Sequence, residues 1–168
     1  MKVMLKGTAT VLALCGMMGQ ALAAGACARP DEALALKTAS MQQELMVAAL
    51  YCNDVGLYNR FVVSYQRDLQ NSDAALLAFF QHGHGGATAY HTYKTNLAND
   101  FSLSGLHGMG AYCGAANAAF DTALNPSISP TLAAFISSQD VNTEGYRACE
   151  TSASNEVRGG AARYASNH

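Results

Sequence analysis

Four cysteines behind an export-type leader do most to narrow what this chain can fold into. Lys2 and Lys6 form a short basic start, Val11 to Met18 an apolar run, and Ala21-Leu22-Ala23 a small-residue cleavage signature. Together these are the three parts of a secretory signal peptide covering residues 1–24. The expectation is therefore a periplasmic or secreted protein, working after the leader is removed. Export places Cys27, Cys52, Cys113 and Cys149 where thiols oxidise, and an even set of four in a short chain reads as two disulfides. A lipid-modified Cys27 is the competing reading of the start. It would leave an odd thiol, and Ala24 stands where a lipidation signal ordinarily carries Leu.

After cleavage about 144 residues remain, enough for one domain with a hydrophobic core of its own. Eight basic residues then stand against twelve acidic ones. No basic patch interleaved with aromatics occurs, so nucleic acid is not an expected partner. Past the leader no apolar run approaches the roughly 20 residues of a spanning helix, so no membrane span is expected in the mature chain.

The pattern of the mature chain is helical. Pro30-Asp31-Glu32 supplies a proline and two acids for a first turn. Leu34, Thr38, Met41, Leu45, Ala48 and Cys52 then step along one face, predicting a helix to about Tyr51. Asn53 to Gly56 breaks it. Tyr58, Phe61, Val62, Tyr65 and Leu69 predict a second helix ending near Asn71, with Asn71-Ser72-Asp73 opening a third through Leu76, Leu77 and Phe80. Gly83, Gly85 and Gly86 interrupt the pattern before Tyr90, Tyr93, Leu97 and Phe101 restore it, as two helices or as one kinked helix. A further helix over Leu106 to Leu124 should bury Met109, Tyr112, Cys113, Ala116 and Phe120. Ser129-Pro130 should then cap a short helix through Leu132, Phe135 and Ile136.

The expected fold is thus all-α, a small bundle of about five helices over residues 27–140. A C-terminal extension, 141–168, has too few large apolar groups beyond about 150 to offset its ordering entropy. Four cysteines allow three pairings, between which sequence alone does not choose; Cys52 and Cys113 both sit on apolar stripes, so the favoured pairing joins them, stapling two packed helices and leaving Cys27 for Cys149.

Three groups of residues are candidates for chemistry. His82, His84 and His91 are the densest set of metal ligands, and His82 and His84 converge only if the glycines break the helix between them. Asp73 and Asp100 are the nearest carboxylates to complete such a set. Tyr90 and Lys94 have the tyrosine and lysine spacing of short-chain dehydrogenases, yet no Gly-rich strand-to-helix turn accompanies them, and Tyr90 reads as core. Tyr58, Asn59, Lys94, Thr95 and Asn99, with Asn96 and Asp100, form a polar set that could line a groove between helices. No Walker loop, His-Glu-x-x-His, EF-hand loop or Gly-x-Ser-x-Gly elbow is present in the sequence. The expectation is a non-catalytic interaction or envelope-associated module without a cofactor, its partner left open between a protein and a small molecule; a metal-binding protein using the three histidines is the alternative, and an uncharacterised hydrolase is a distant third.

The run LKTASMQQELMVAALYC from Leu36 to Cys52, then Tyr58-Asn-Arg-Phe61, Lys94-Thr-Asn-Leu-Ala-Asn99 and Tyr112-Cys113, resembles a family of small exported bacterial helical proteins of unknown function. The likeness covers about residues 27–125. Some members carry an adenosylhomocysteine hydrolase name, but an enzyme of that name is a much larger nicotinamide-dependent protein, and no matching motif occurs in this sequence. The resemblance implies export, helicity and the placement of Cys52 and Cys113, and no mechanism.

The exported protein should begin near residue 25 and carry no free thiol. Alkylation under denaturing, non-reducing conditions should label none of its cysteines; labelling of two or more per chain would exclude the two-disulfide framework.

Overall fold

A 22-residue helix, α1 (Pro30–Tyr51), runs through the middle of the protein and packs on every other helix. The computed structural model describes residues 27–149, apart from positions 107 and 144. Around α1 lie α2 (Val55–Ser64), α3 (Gln66–Gln81), α4 (Gly86–Leu106), α5 (Met109–Ala123) and α6 (Leu132–Ser138). The described chain is all-α and disulfide-stapled. The glycines separate α3 from α4, which makes six helices where about five are expected.

Local chemistry accounts for the ends of α1. Pro30 occupies its first turn, where a missing N–H costs nothing. The Arg29 N–H donates to the Glu32 carboxylate at 2.8 Å. At the other end Asn53 adopts φ 61°, a left-handed conformation that asparagine tolerates better than most residues. The interior of α1 is buried on more than the one face predicted: Ala35, Leu36, Ala39, Ser40, Val47 and Ala49 are buried as well as Thr38, Met41, Leu45 and Ala48.

Two apolar clusters form on either side of this helix. Met41, Leu45 and Ala49 of α1 meet Phe61, Tyr65, Leu69, Phe120, Phe135 and Ile136 in one. Ala35, Leu36 and Ala39 meet Leu76, Phe79, Phe80, Tyr90, Tyr93 and Leu97 in the other. Disulfides join Cys52 to Cys113 and Cys27 to Cys149. They follow the pairing expected from the stripes. The Cys52–Cys113 bridge closes 61 residues, worth roughly 4 kcal/mol in the chain-entropy account.

Three expectations need correction, and the extension that begins at Val141 gains a defined part in the fold. The second helix ends at Ser64, with Tyr65 as its C-terminal cap, and not near Asn71, because the Tyr65 hydroxyl is shared between the carbonyl oxygens of Ala123 at 2.6 Å and Ser129 at 2.9 Å. That tertiary anchor sets the break, and α3 runs unbroken through Asn71, Ser72 and Asp73. Met109 is 55% exposed at the start of α5, whose buried residues, Ala116, Phe120 and Ala123, lie further along the helix. The cap of α6 is Thr131, whose hydroxyl accepts the Ala134 N–H at 3.1 Å, so Pro130 precedes the helix instead of opening it. Finally, residues from Val141 to Cys149 do more than trail: Tyr146 lays its ring edge-on to Phe79, Phe80 and Tyr93 at 5.2–5.8 Å. Ala28 N–H donates to the Arg147 carbonyl, and Cys149 N–H to the Ala28 carbonyl, both at 2.8 Å. The leader expected over 1–24 and the tail expected after about 150 lie outside the described residues.

Changing Tyr65 to Phe removes the one donor serving two buried carbonyls. Urea unfolding should show a loss of about 1–3 kcal/mol with an unchanged m-value; an unchanged midpoint would remove Tyr65 from its anchoring role.

Candidate functional site

The turn between α3 and α4 positions a set of interacting polar side chains on the two helices that it joins. Gly83, Gly85 and Gly86 take φ of 117°, 92° and 69°, conformations in which glycine has no side-chain penalty. At Gly85 a Cβ would also meet that of Ala89 at 2.8 Å. The chain reverses there, and α4 returns along both α3 and α1. Tyr90, Tyr93 and Leu97 bury one face of α4.

The reversal sets Asp73 of α3 opposite Tyr90 and Lys94, which are one helical turn apart on α4. Tyr90 donates its hydroxyl to the Asp73 carboxylate, with oxygens at 2.7 and 2.8 Å. Lys94 Nζ donates to Asp73 Oδ1 at 2.7 Å and to the Tyr90 hydroxyl oxygen at 3.1 Å. Its ammonium also lies 5.1 Å from the Tyr90 ring centroid. Burial raises the Asp73 carboxyl, but the hydrogen bonds from Lys94 and Tyr90 outweigh it and hold the group below its ordinary value. Burial and the bond to Asp73 push the Tyr90 phenol up. For Lys94, burial pulls down while the bonds to Asp73 and Tyr90 win, and its ammonium is held above the usual lysine range. All three groups keep their ordinary charge state across neutral pH.

Two grooves flank the outer side of α4. Gln43 of α1 lines one with Tyr90, His91, Lys94, Thr95 and Asn99, a hollow of about 400 Å³. The Oε1 of Gln43 is itself shielded from solvent and has no hydrogen-bond partner. Thr88, Thr92 and Asn96, four residues apart, line the other with Tyr93 and Tyr146, about 410 Å³. Between the grooves, the exposed residues from Ala87 to Asn99 are Ala87, Thr88, His91, Thr92, Thr95, Asn96 and Asn99. None is an Asp, Glu, Lys or Arg.

The polar set expected from sequence is divided by the fold. Lys94, Thr95 and Asn99 share the first groove, whereas Asn59 lines a separate hollow with Arg60, Val63, Ser64 and Leu124. Tyr58 packs on the α2 side of the core, its ring 6.4 Å from that of Phe61. The histidines are likewise dispersed. His84 stacks on Phe79 at 3.9 Å and His91 meets the Tyr90 ring edge-on at 5.0 Å, while His82 is exposed at the end of α3. Among the described residues no group of three His, Cys, Asp or Glu is placed to hold a metal ion. Asp73 serves as the partner of Tyr90 and Lys94. Gln43, Thr88, Thr92 and Tyr146 were not anticipated; the charge-free run of exposed α4 positions was the available signal for the two threonines. No family model, curated protein or solved structure matches the chain.

Glu44 lies next to Gln43 in α1, half-buried, and burial raises its carboxyl above its ordinary 4.5. Burial, with the charges of Glu44 and Tyr51, pushes the nearby Tyr112 phenol to about 12. Asp73 and Glu44 should therefore give pH dependences of opposite sign. The folded-state value of Asp73 is depressed, so its contribution is present above about pH 3.8 and lost as pH falls through the lower folded value. The Glu44 value is raised, so its ionisation destabilises the fold progressively as pH rises from 4.5 through the folded value. Across an unfolding series in pH, Asp73→Asn should be less stable than wild type at neutrality and converge with it in acid. Glu44→Gln should be more stable at neutrality and likewise converge; a gap that did not change with pH would contradict these assignments.

Proposed function

We propose that this chain is an exported, envelope-associated binding module without catalytic activity, acting in the periplasm or outside the cell once residues 1–24 are removed, and that its binding surface is the outer side of α4. The observation that carries this reading is the uncharged exposed face from Ala87 to Asn99, set between two grooves. Threonine and asparagine are among the poorer helix formers, each costing about 0.5 kcal/mol relative to alanine. A solvent-facing helix with no other task is better served by Lys, Glu and Ala.

The ionisable network supports a role in binding. A general acid or base works best with its pKa near the operating pH. Asp73, Tyr90 and Lys94 are all moved away from neutrality, so they suit fixing a surface better than exchanging protons on it. Two disulfides accord with an oxidising compartment. Among the described residues no helix is long and apolar enough to cross a membrane.

A photoreactive residue placed at Thr92 tests the surface in cells that export the protein. Irradiation should give a discrete heavier adduct from Thr92 and none from the exposed control position Ser127 on the α5–α6 connection. Equal labelling from both positions, or none from Thr92, would exclude α4 as the binding face.

A further inference from the structure

We propose that the end of the bundle where α4 passes into α5 is a self-association surface, on which a second copy of this chain docks through α5 about a two-fold axis to give a reversible homodimer. It lies beyond residues 87–99 and does not depend on the binding role given to them.

Large apolar groups are left uncovered at this end. Leu103 and Leu106, about one turn apart at the close of α4, are 55% and 66% exposed, and Met109 at the start of α5 is 55% exposed. A Cβ on buried Gly105 would stand 3.5 Å from the Tyr112 ring and 3.6 Å from that of Tyr51, so the ends of α1 and α4 and the start of α5 meet there. The Cys52–Cys113 bridge ties α5 to the end of α1. From Met109 onward the exposed side of α5 is Gly110, Ala111, Gly114, Ala115, Asn117 and Ala118, and Gly110, Gly114 and Ala118 recur along one side of the helix. The two glycines have no task inside the chain. Both are helical, neither has the left-handed φ that favours glycine, and nothing lies within 4 Å of where a Cβ would stand on either. Glycine is the poorest helix former after proline, so alanine would serve the isolated helix better. What a bare backbone does permit is the close approach of a second helix.

Charge and area select the occupant. Asp100 and Asp121 bound a stretch, 101–120, that contains no Asp, Glu, Lys or Arg. A two-fold axis sets each residue of a surface against the same surface of the partner, so a patch of one charge repels its copy, and this face does not. The low ridge of Gly110, Gly114 and Ala118 also complements itself, since each α5 fits the shallow groove that the other offers. A lipid surface is a poorer match: no lysine or arginine stands in the stretch to meet an anionic headgroup, and glycine and alanine give little apolar area to insert. Area sets the strength. A helix of the 15 residues of α5 is about 22 Å long and two adjacent helices are about 20 Å wide, so two copies together cover on the order of 900 Å² in outline. That is close to the roughly 1,000 Å² at which biological interfaces begin and below the ~1,600 Å² of a standard one. The dimer is therefore reversible, with a dissociation constant in the micromolar range.

Sedimentation velocity of the disulfide-intact exported protein, from about 1 μM to 1 mM, tests this. The wild type should pass from monomer to dimer as its concentration rises. Leu106→Glu/Gly114→Leu, both exposed positions, should weaken the dimer about tenfold or more while the helical circular dichroism stays unchanged. Gly110→Ala/Gly114→Ala separates association from folding: in dilute, monomeric protein it should raise the melting temperature, since alanine favours the helix, and at high concentration it should weaken the dimer. A photoreactive residue at Ala115, in cells that export the protein, should give an adduct of twice the monomer mass. A wild type that stays monomeric throughout the range overturns the proposal, as does a dimer that survives both pairs of substitutions or an Ala115 adduct of any other mass. So does a monomer that co-sediments with vesicles of phosphatidylethanolamine and phosphatidylglycerol and loses them on Leu106→Glu. A lowered melting temperature in the alanine pair would give the glycines a role inside the fold and remove them from the interface. The adduct at Thr92 is unaffected by any of these results, so the outer side of α4 stands or falls separately.

Discussion

The burial of α1 on several sides at once is the constraint from which the rest of the structure follows. A helix that packs on every other helix must be narrow enough for its neighbours to approach, and α1 supplies Ala35, Ala39, Ser40, Ala48 and Ala49 among its buried positions. The two clusters then divide along it: aromatic and aliphatic groups of α2, α5 and α6, with Leu69 from the first turn of α3, fill one side, and the remaining core residues of α3 and those of α4 fill the other. Such an arrangement depends on the ends of α1 staying where they are. Cys27 precedes its first turn and Cys52 follows its last, and each is bridged to a distant part of the chain. The two bridges therefore fix both ends of the helix that the other five pack against.

This design also explains which features the sequence disclosed. The extent of α1, its N-terminal proline, the turn at Asn53 and the existence of α6 are set by local chemistry, and they are readable as local patterns. The helix break at Tyr65 is not local. It depends on acceptors 58 and 64 residues further along the chain, while the Asn71-Ser72-Asp73 signal nearby is a good start that the tertiary structure overrides. An apolar stripe read from α1 finds one face because periodicity arguments assume a solvated opposite side. Here that side is covered by other helices. Tyr146 belongs to a segment whose own sequence gives no stripe, and its place is decided by the rings of Phe79, Phe80 and Tyr93.

The candidate site was legible in part for a similar reason. Lys94, Thr95 and Asn99 share one helical surface, so grouping them required only the period of a helix. Adding Tyr58 and Asn59 required knowing what α2 packs against, and α2 packs on α1, α3 and α5. The histidines illustrate the opposite error. Closeness in sequence around a glycine turn brings His82, His84 and His91 near one another along the chain, yet an aromatic neighbour engages His84 and another engages His91. Stacking against Phe79 is a tertiary contact with the last turns of α3, and no spacing rule reports it.

What distinguishes α4 is that its two sides are under different demands. Its inner side carries Tyr90, Tyr93 and Leu97, and their burial stabilises the helix by far more than a few weak helix formers on the outside can cost it. The glycine turn and the Asp73–Lys94 pair fix its start and its register against α3. A helix held in that way needs no help from charged pairs on its surface, so its outer residues are free to be chosen for contact. It also presents them on a rigid element, which lowers the ordering cost that weakens binding to flexible surfaces. Salt screens an exposed Coulomb attraction but acts only weakly on hydrogen bonds between neutral groups. The neutrality of this face thus means that any contact made with it would depend on hydrogen-bond geometry and only weakly on ionic strength.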